Sequence, residues 1–366
     1  MSSLIDKVLE FWSNTSYTEL ILVILVYQFI KFYYKDIYKV HYSGKIAHLP
    51  QPHYPLYHHF YRYYLRIFGD IADYAKDHEK YGSVFVSASN VVLTSNLEAF
   101  KLLNSYQIKK GRVYSAFDLS NPTIFSSRER QYHAKRKRLI SPAFNVKSML
   151  SMEPKILKTG TLNLLEFLNS QFNAETKQIK VNIINVFYQS TLDVISELVF
   201  GQSLNTLSGD ASNFKFYMRE VQKIQWVLGM SPLFPFLKKY YSAGEIFKKM
   251  IVENMESRRL EKSKNTDILQ SLMDTQDGEV DGGGSGLRDD EIIDEAITLM
   301  FAGIDTTSNT LIFTIYEILK DRNLYNRITD QILKEFPDPN AKITVEECRT
   351  KLTLLEAKLF QKAGLW

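Results

Sequence analysis

The chain has 366 residues, of which 45% are hydrophobic and 23% are charged, and its formal net charge is +4 at pH 7. A chain of this size and composition can bury a sizeable core. Its positive charge is small and interleaved with negative charge, which excludes nucleic-acid binding as the main function. The single cysteine, Cys348, excludes an intramolecular disulfide framework and any multi-cysteine zinc or iron–sulfur site.

The first predicted element is an apolar run from Leu20 to Tyr34. It is shorter than the ~20 residues of a spanning helix, but including Tyr17 and Thr18, with Lys31 snorkelling, makes a span. Because no small-residue cleavage site follows, the run indicates a retained membrane anchor rather than a signal peptide. A buried core helix is the alternative. Lys31 lies near the end of the run and Lys35, Lys39 and Lys45 follow it, whereas only Lys7 precedes it, so the positive-inside rule predicts a cytosolic location for the rest of the chain.

A proline-containing hinge and a small sheet are predicted next. Residues 1–45 form the predicted anchor and its flank, and residues 46–56 form a stiff hinge that contains three prolines. Residues 57–366 form the remaining domain. Its first predicted elements are a helix at 70–81 and two β-branched runs at 84–88 and 91–95, which together indicate a hairpin.

Helical patterns dominate the chain from residue 96 onward. Helices are predicted at 96–104, 128–140, 147–172, 181–200, 212–228, 241–263 and 266–273, and a flexible glycine-rich loop follows at 274–287. A large helical body with one small sheet near its start predicts a mainly α fold of the α+β type.

The last long helix carries polar residues at its centre. Apolar residues recur at helical spacing from Ile293 to Leu311, and two aspartates precede the first turn, so the helix is predicted from about residue 290 past 311. Gly303 costs about 1 kcal/mol relative to alanine, and the hydroxyls of Thr306 and Thr307 compete for carbonyls one turn back. The pattern therefore predicts a local distortion. Asp305 requires water, a partner or a reacting group.

This central patch resembles the oxygen-activation motif of the haem-thiolate monooxygenases, the cytochrome P-450 superfamily. The motif residues are Gly303, Asp305 and Thr306. Further blocks resemble the family in order and spacing: the anchor and proline hinge of its membrane-bound microsomal members, the segment leading into its first sheet at 80–85, its helix C at 133–144 and its helix E at 191–201. The resemblance covers nearly the whole chain and implies a cytochrome P-450-like helical fold.

The resemblance assigns cofactor contacts to the helix C block. The family has tryptophan eight positions and arginine four positions before a Ser-Pro step, and both donate to a haem propionate. Counting back from Ser141 gives His133 and Lys137, which are competent donors to a carboxylate. The preceding residues, Tyr132 and Arg136, form a rival pair with the same spacing. Arg138 is the reserve, and a solvated basic face or a nuclear-localisation signal are the alternatives for the charge run.

In the central helix, the resemblance implies that Ala302 and Gly303 leave room over the haem face for dioxygen. Thr306 would hold a water or the bound oxygen by its hydroxyl, and Asp305 would relay protons from solvent. The alternative is that Thr306 and Thr307 bond back to their own helix while Asp305 pairs with a nearby cation. The segment 226–236 resembles the connection between the family's helices F and G, which would roof the substrate channel and touch the membrane; an ordinary apolar loop is the alternative.

The pattern of the family stops inside its helix K. The block from Lys351 to Ala357 resembles the start of that helix, but the Glu-x-x-Arg pair and the glycine-rich loop with the cysteine thiolate do not follow. Cys348 precedes this block, so it is not the thiolate of the family, and no histidine is nominated in its place. We therefore expect an incomplete domain whose C-terminal part is missing, with no metal ligand in this chain.

The resemblance implies a function for a full-length counterpart. It would be a haem-dependent monooxygenase that inserts one oxygen atom of dioxygen into an apolar small-molecule substrate, with NADPH electrons delivered by a flavoprotein reductase. It would be anchored in the endoplasmic reticulum membrane, in contact with lipid, with no nucleic-acid partner. The chain as given is expected neither to bind haem properly nor to turn over substrate. The alternative is a non-enzymatic, membrane-anchored helical remnant that acts as a partner-binding module.

Overall fold

The computed structural model describes the protein in two compact units. The described residues are 16–68, 74–88, 91–105, 108–209, 212, 214–219, 223, 245–261, 265–276, 286–339 and 341–357. One unit comprises residues 1–108 and 225–235, and the other comprises residues 109–224 and 236–366.

The smaller unit begins with an exposed apolar helix. Helix α1, Tyr17–Phe32, starts at a capping box in which the Ser16 hydroxyl accepts from the Glu19 backbone N–H, while the Glu19 carboxylate accepts from the Ser16 N–H. No residue of this 16-residue helix is buried. The chain continues as a π-helix over Tyr33–Ser43, which the apolar pattern did not predict.

The rest of this unit contains three helices and the predicted hairpin. Helix α2, Pro55–Phe68, was not predicted; it starts at the third hinge proline, where a missing N–H costs nothing at the first helical position. Helix α3 is Tyr74–Tyr81, strands β1, Val84–Ala88, and β2, Val91–Thr94, pair antiparallel, and helix α4 is Leu97–Leu103. The predicted turn at 89–90 and residues 70–73 of the predicted helix 70–81 lie outside the described residues.

Among the residues described for it, the larger unit contains helices and one very short hairpin. Its helices are α5, Arg130–Ile140; α6, Val146–Ile156; α7, Asn163–Ser170; α8, Ile183–Phe200; α9, Glu245–Glu261; α10, Ile268–Met273; α11, Asp289–Lys320; α12, Arg322–Glu335; and α13, Val345–Lys351. A π-helix at Leu157–Leu162 divides the predicted helix 147–172, and strands β3, Phe172–Asn173, and β4, Gln178–Ile179, follow it. The mainly α fold is confirmed. Of the predicted helix 212–228, residues 212, 214–219 and 223 are described and helical.

Helices α8 and α11 form the centre of the larger core. Helix α8 starts at Asn182, whose side chain accepts from the N–H groups of Ile184 and Asn185, and ends at Gly201 in the left-handed conformation. In the described part of the chain, α8 is the one helix long and apolar enough to cross a membrane, but 56% of it is buried inside the structure. Its burial is that of a core helix.

The predicted distortion does not interrupt α11, which is helical for 32 residues. Hydroxyl groups along its polar centre donate to carbonyls four residues back: Thr306 to Ala302, Ser308 to Ile304 and Thr310 to Thr306. A carbonyl oxygen has two lone pairs, so it can accept from a hydroxyl and from the helical N–H together. These hydroxyls share the carbonyls with the backbone donors instead of displacing them.

A buried ion pair ties α9 to the start of α10. The two terminal nitrogens of Arg258 donate to the two carboxylate oxygens of Asp267 at 2.7 and 2.9 Å, and one of them also donates to the Phe200 carbonyl at 2.8 Å. A Cβ on Gly201 would lie 2.6 Å from the Asp267 carboxylate, and Gly201 has a φ of +70°. Glycine is therefore required at this junction for both space and conformation.

The loop before α5 is fixed by acidic side chains of α11. Asp294 accepts from the backbone N–H of Asn121 at 2.7 Å, and Glu295 accepts from the backbone N–H of Ile124 at 2.9 Å. Both carboxylates are almost fully buried. Burial raises the pKa of Glu295 to about 7, against the lowering effects of the Ile124 N–H and the Arg136 guanidinium.

We predict that Arg258→Met strongly destabilises the protein because it leaves the Asp267 carboxylate buried without its cation. The expected loss in the free energy of unfolding is about 3–5 kcal/mol. Arg259→Met is the matched control, because the pair of Arg259 with Asp289 is about half exposed; its loss should stay below about 1 kcal/mol. Urea denaturation measures both. Equal losses would contradict the structural role of Arg258.

We predict that Glu295 makes the stability of the protein fall as the pH rises from 4.5 to about 7. In this range the folded protein retains a proton on Glu295 that the unfolded chain has lost, so the free energy of unfolding decreases with pH. Glu295→Gln should reduce this decrease by an amount on the order of 2 kcal/mol. Urea denaturation across the range measures it, with Glu256→Gln at an exposed site of α9 as control. Parallel pH profiles for wild type and Glu295→Gln would refute the assignment.

Candidate functional site

Gly303 of α11 lies against Ile195 of α8. A Cβ on Gly303 would lie 2.8 Å from Cδ1 of Ile195, closer than side chains tolerate without a shift. One turn further along, the hydroxyls of Thr191 and Ser308 are hydrogen-bonded to each other across the two helices. The missing side chain of Gly303 therefore permits close packing of the helices.

Ala302 and Thr306 lie on a different, exposed face of α11. They are four residues apart, so they are neighbours on the helix surface. The Thr306 hydroxyl donates to the Ala302 carbonyl at 2.8 Å, which is the alternative considered from the sequence. A hydroxyl that donates once still has two lone pairs. Thr306 can therefore accept a hydrogen bond from a molecule on this face.

Asp305 is held by a phenol rather than by a cation. The Tyr217 hydroxyl, in the helical segment 214–219, donates to Oδ1 of Asp305 at 2.8 Å. Burial raises the pKa of Asp305, and the hydrogen bond from Tyr217 opposes that rise. Asp305 is thus a partly buried carboxylate with a proton affinity above that of an ordinary aspartate, beside the exposed face formed by Ala302 and Thr306.

His133 and Lys137 belong to a cluster of positive charge at α5. His133 is half-buried and Lys137 is exposed. Burial lowers the pKa of His133, and the charges of Lys110 and Lys137 lower it further, which reports their proximity. Lys110 was not predicted from the sequence. Its Nζ donates to the carbonyls of Ile124 and Phe125 at 3.0 and 2.7 Å.

The rival pair, Tyr132 and Arg136, is engaged inside the protein. Arg136 is buried, pairs with Glu291 and Glu295 of α11, and donates to the Tyr132 hydroxyl. The Tyr132 hydroxyl in turn donates to the Pro122 carbonyl at 2.8 Å. These contacts use Arg136 to join α5 to α11.

The described residues do not supply an evident metal centre. Among them, no group of three or more His, Cys, Asp or Glu side chains is placed to hold a metal ion. Cys348 lies on α13 and is largely exposed. Its remaining partial burial, together with the charges of Glu347 and Glu153, raises the pKa of its thiol. This environment disfavours the thiolate form that a metal ligand requires.

Two residues that contact the candidate site could not be identified from the sequence. Lys110 is one of a pair of lysines in a predicted loop, and Tyr217 is one of many aromatic residues at helical spacing. Their partners, His133 and Asp305, are 23 and 88 positions away in the sequence. No local pattern connects residues at such separations.

Comparison with known proteins agrees with the resemblance of the motifs. Cytochrome P450 monooxygenase LUC2 of Fusarium sp is 26% identical over 267 residues, which cover 71% of this chain and 52% of that protein. Cytochrome P450 monooxygenase FUS8 of Gibberella fujikuroi is 26% identical over 292 residues, or 76% of this chain and 55% of that protein. Cytochrome P450 3A28 of Bos taurus is 27% identical over 215 residues, or 55% of this chain and 41% of that protein.

The chain spans about half the length of the curated relatives that it matches. Residues 48–359 match the family described as cytochrome P450. This match includes α5, α8 and α11. It also includes the six site residues predicted from the sequence, which are His133, Lys137, Ala302, Gly303, Asp305 and Thr306. The chain therefore belongs to the cytochrome P450 family.

Proposed function

We propose that this chain forms the oxygen-handling wall of a haem-dependent monooxygenase, an oxidoreductase that inserts one oxygen atom of dioxygen into an apolar organic substrate. The proposal is supported by the way in which the motif residues of α11 lie on different faces of the helix. Ala302 and Thr306 are exposed on one face, whereas Gly303 contacts α8 and Asp305 contacts Tyr217. When bound, the haem supplies the activation of dioxygen.

The residues fit a planar cofactor that carries carboxylates. The small side chain of Ala302 lies with Thr306 on an exposed face of α11, which would receive one face of the ring. Lys137 and His133, reinforced by Lys110, supply positive charge and N–H donors for a propionate. Gly303 faces Ile195 of α8 instead, so in this proposal it acts by letting α8 and α11 pack closely.

Thr306 and Asp305 have complementary tasks in the proposal. The Thr306 hydroxyl donates its proton to the Ala302 carbonyl, so its oxygen can only accept further hydrogen bonds, from partners that donate a proton. Asp305 is a carboxylate whose pKa is raised by burial, which favours uptake and release of a proton nearer to neutral pH. The pair would transfer protons from solvent to the exposed face of α11.

The axial ligand is the part of the proposal that these residues do not provide. A thiolate pushes electron density onto a haem iron and favours O–O cleavage, but the surroundings of Cys348 favour its neutral thiol. We propose that the 366 residues alone bind haem without thiolate ligation and do not turn over substrate.

The proposed partners follow from the family and from the first helix. Electrons from NADPH would arrive through a flavoprotein reductase, and the substrate would be an apolar small molecule. Helix α1 leaves large apolar side chains exposed, with Leu22 at 60% and Leu25 at 61%. Its 16 residues are shorter than a spanning helix, and the following lysines can extend the span by snorkelling. We propose that α1 anchors the chain in the endoplasmic reticulum membrane, with the larger unit on the cytosolic side.

We predict that the purified chain binds ferric haem but gives no thiolate-type Soret band after reduction under carbon monoxide. Absorption titration measures the binding, and a carbon-monoxide difference spectrum tests the ligation. Lys137→Met should weaken haem binding about tenfold because a charge-assisted hydrogen bond contributes roughly 1.5 kcal/mol or more.

The matched control for this experiment is Lys147→Met at an exposed site of α6, which should leave haem affinity unchanged. Absence of saturable haem binding would overturn the assignment of the wall. A thiolate-type band would instead overturn the proposed absence of thiolate ligation.

We predict that α1 retains the chain in membranes by its exposed apolar side chains. Replacing Ile24 and Val26 by lysine places two charges within the span, each of which costs roughly 2.5–3.5 kcal/mol near the centre of a membrane helix. The variant should move to the supernatant after an alkaline carbonate wash of membranes. The control replaces the exposed Leu162 and Leu165 of the larger unit by lysine. Release of this control variant from membranes would contradict the role of α1 as the anchor.

A further inference from the structure

Tyr217 is fixed by its ring and by its hydroxyl separately. The side chain is fully buried, and its ring is stacked on Phe301 of α11, with centroids 5.7 Å apart and an interplanar angle of 24°. Phe301 also makes an edge contact with Phe247 of α9 at 5.9 Å. These aromatic contacts hold the ring in place without help from the hydroxyl. The hydroxyl is thereby aimed at Asp305, at 2.8 Å from Oδ1.

Asp305 is surrounded by phenols rather than by cations. No ion pair involving Asp305 occurs in the part of the chain that the structure describes. Tyr188 of α8 is the second nearby phenol: Asp305 contributes to raising its pKa, after burial. The Tyr188 hydroxyl, however, donates to Oδ1 of Asn309 at 3.4 Å. One phenol holds the carboxylate, and the other lies near it with a different acceptor.

The hydrogen bond to Tyr217 determines which way the Asp305 carboxylate points. Successive residues of an α-helix project about 100° apart, so Asp305 and the adjacent Thr306 leave α11 in different directions. Asp305 points to the helical segment 214–219, and Thr306 lies on the exposed face. For Asp305 to carry a proton between these two sides, its carboxylate must either break the hydrogen bond from Tyr217 or contact water while that hydrogen bond is kept.

We propose that Tyr217 is a positioning residue that fixes the orientation of the Asp305 carboxylate and makes its availability as a proton carrier depend on the segment 214–219. When the segment holds Tyr217 in place, the carboxylate is retained. When the contact opens, the carboxylate accepts a proton from hydronium in the solvent and donates it to a hydrogen-bonded acceptor on the Thr306 side, returning to its ionised form. The use of that proton in oxygen chemistry rests on the proposed function; the control of Asp305 by Tyr217 does not.

The first test is a double-mutant cycle on the full chain without cofactor. Tyr217→Phe keeps the stacked ring and removes the hydroxyl, and at pH 7.5 it should raise the unfolding equilibrium constant about tenfold, since the carboxylate loses a hydrogen bond to a charged group. In an Asp305→Ala background the same change should have no unfavourable effect. Equal effects in both backgrounds would overturn the proposal. Asp305→Asn serves as the second background if Asp305→Ala does not fold.

The second test measures the availability of the carboxylate directly. Modification of Asp305 by a carbodiimide and an amine nucleophile, followed by mass spectrometry, should be several times faster in Tyr217→Phe than in wild type. The released carboxylate is more accessible, and loss of the hydrogen bond raises its pKa further, which increases the protonated form that reacts. Asp193, which is buried and accepts from Thr206 and Leu207, is the internal reference.

The matched control is Tyr188→Phe, which removes the phenol that donates to Asn309. It should leave the rate at Asp305 unchanged. An unchanged rate in Tyr217→Phe, or a parallel increase at Asp193, would overturn the proposal, because the latter indicates general loosening. Both tests are independent of haem. A failure to bind haem combined with a positive cycle would refute the oxygen-handling function and leave the role of Tyr217 intact.

Discussion

The close approach of α8 and α11 at Gly303 is the constraint on which the arrangement of the site depends. With Ile195 filling the space where a side chain would be, one face of α11 is committed to the core. The helical repeat then determines the directions of the neighbouring residues. Ala302 and Thr306 are left on an exposed face, and Asp305 is directed at Tyr217. A bulky residue at 303 would displace α11 and with it each of these contacts.

The acidic residues of α11 have different partners at the start of the helix and at its centre. Near its start, Asp294 and Glu295 accept backbone N–H groups of the loop before α5, and Arg136 pairs with Glu295. Further along, Asp305 is less enclosed by donors and has one phenol as its partner. A carboxylate with several fixed donors has a structural role. A carboxylate with one donor, which a small movement can remove, is better suited to proton transfer.

The basic residues of α5 also differ in their surroundings, since one is buried and another is exposed. Four of them follow one another in the sequence, and a helix directs them to different sides. Arg136 enters the core because two carboxylates of α11 compensate its charge, which a buried guanidinium requires. Lys137 remains exposed, where it lies close to His133 and Lys110. Burial lowers the pKa of Lys110, and the charge of Glu295 opposes that lowering, so an acid of α11 offsets part of the charge of the cluster.

The sequence by itself determined the family, the mainly α fold, most helices of the larger unit and the hairpin, since these depend on local periodicity and motif spacing. It did not determine the π-helices at Tyr33–Ser43 and Leu157–Leu162, the helix Pro55–Phe68 or the unbroken 32-residue length of α11. Only the tertiary structure decided that Arg136 is internal, that Lys110 joins His133 and that Tyr217 holds Asp305. These pairings join residues distant in the chain, and the burial that sets their energies exists only when the helices pack together.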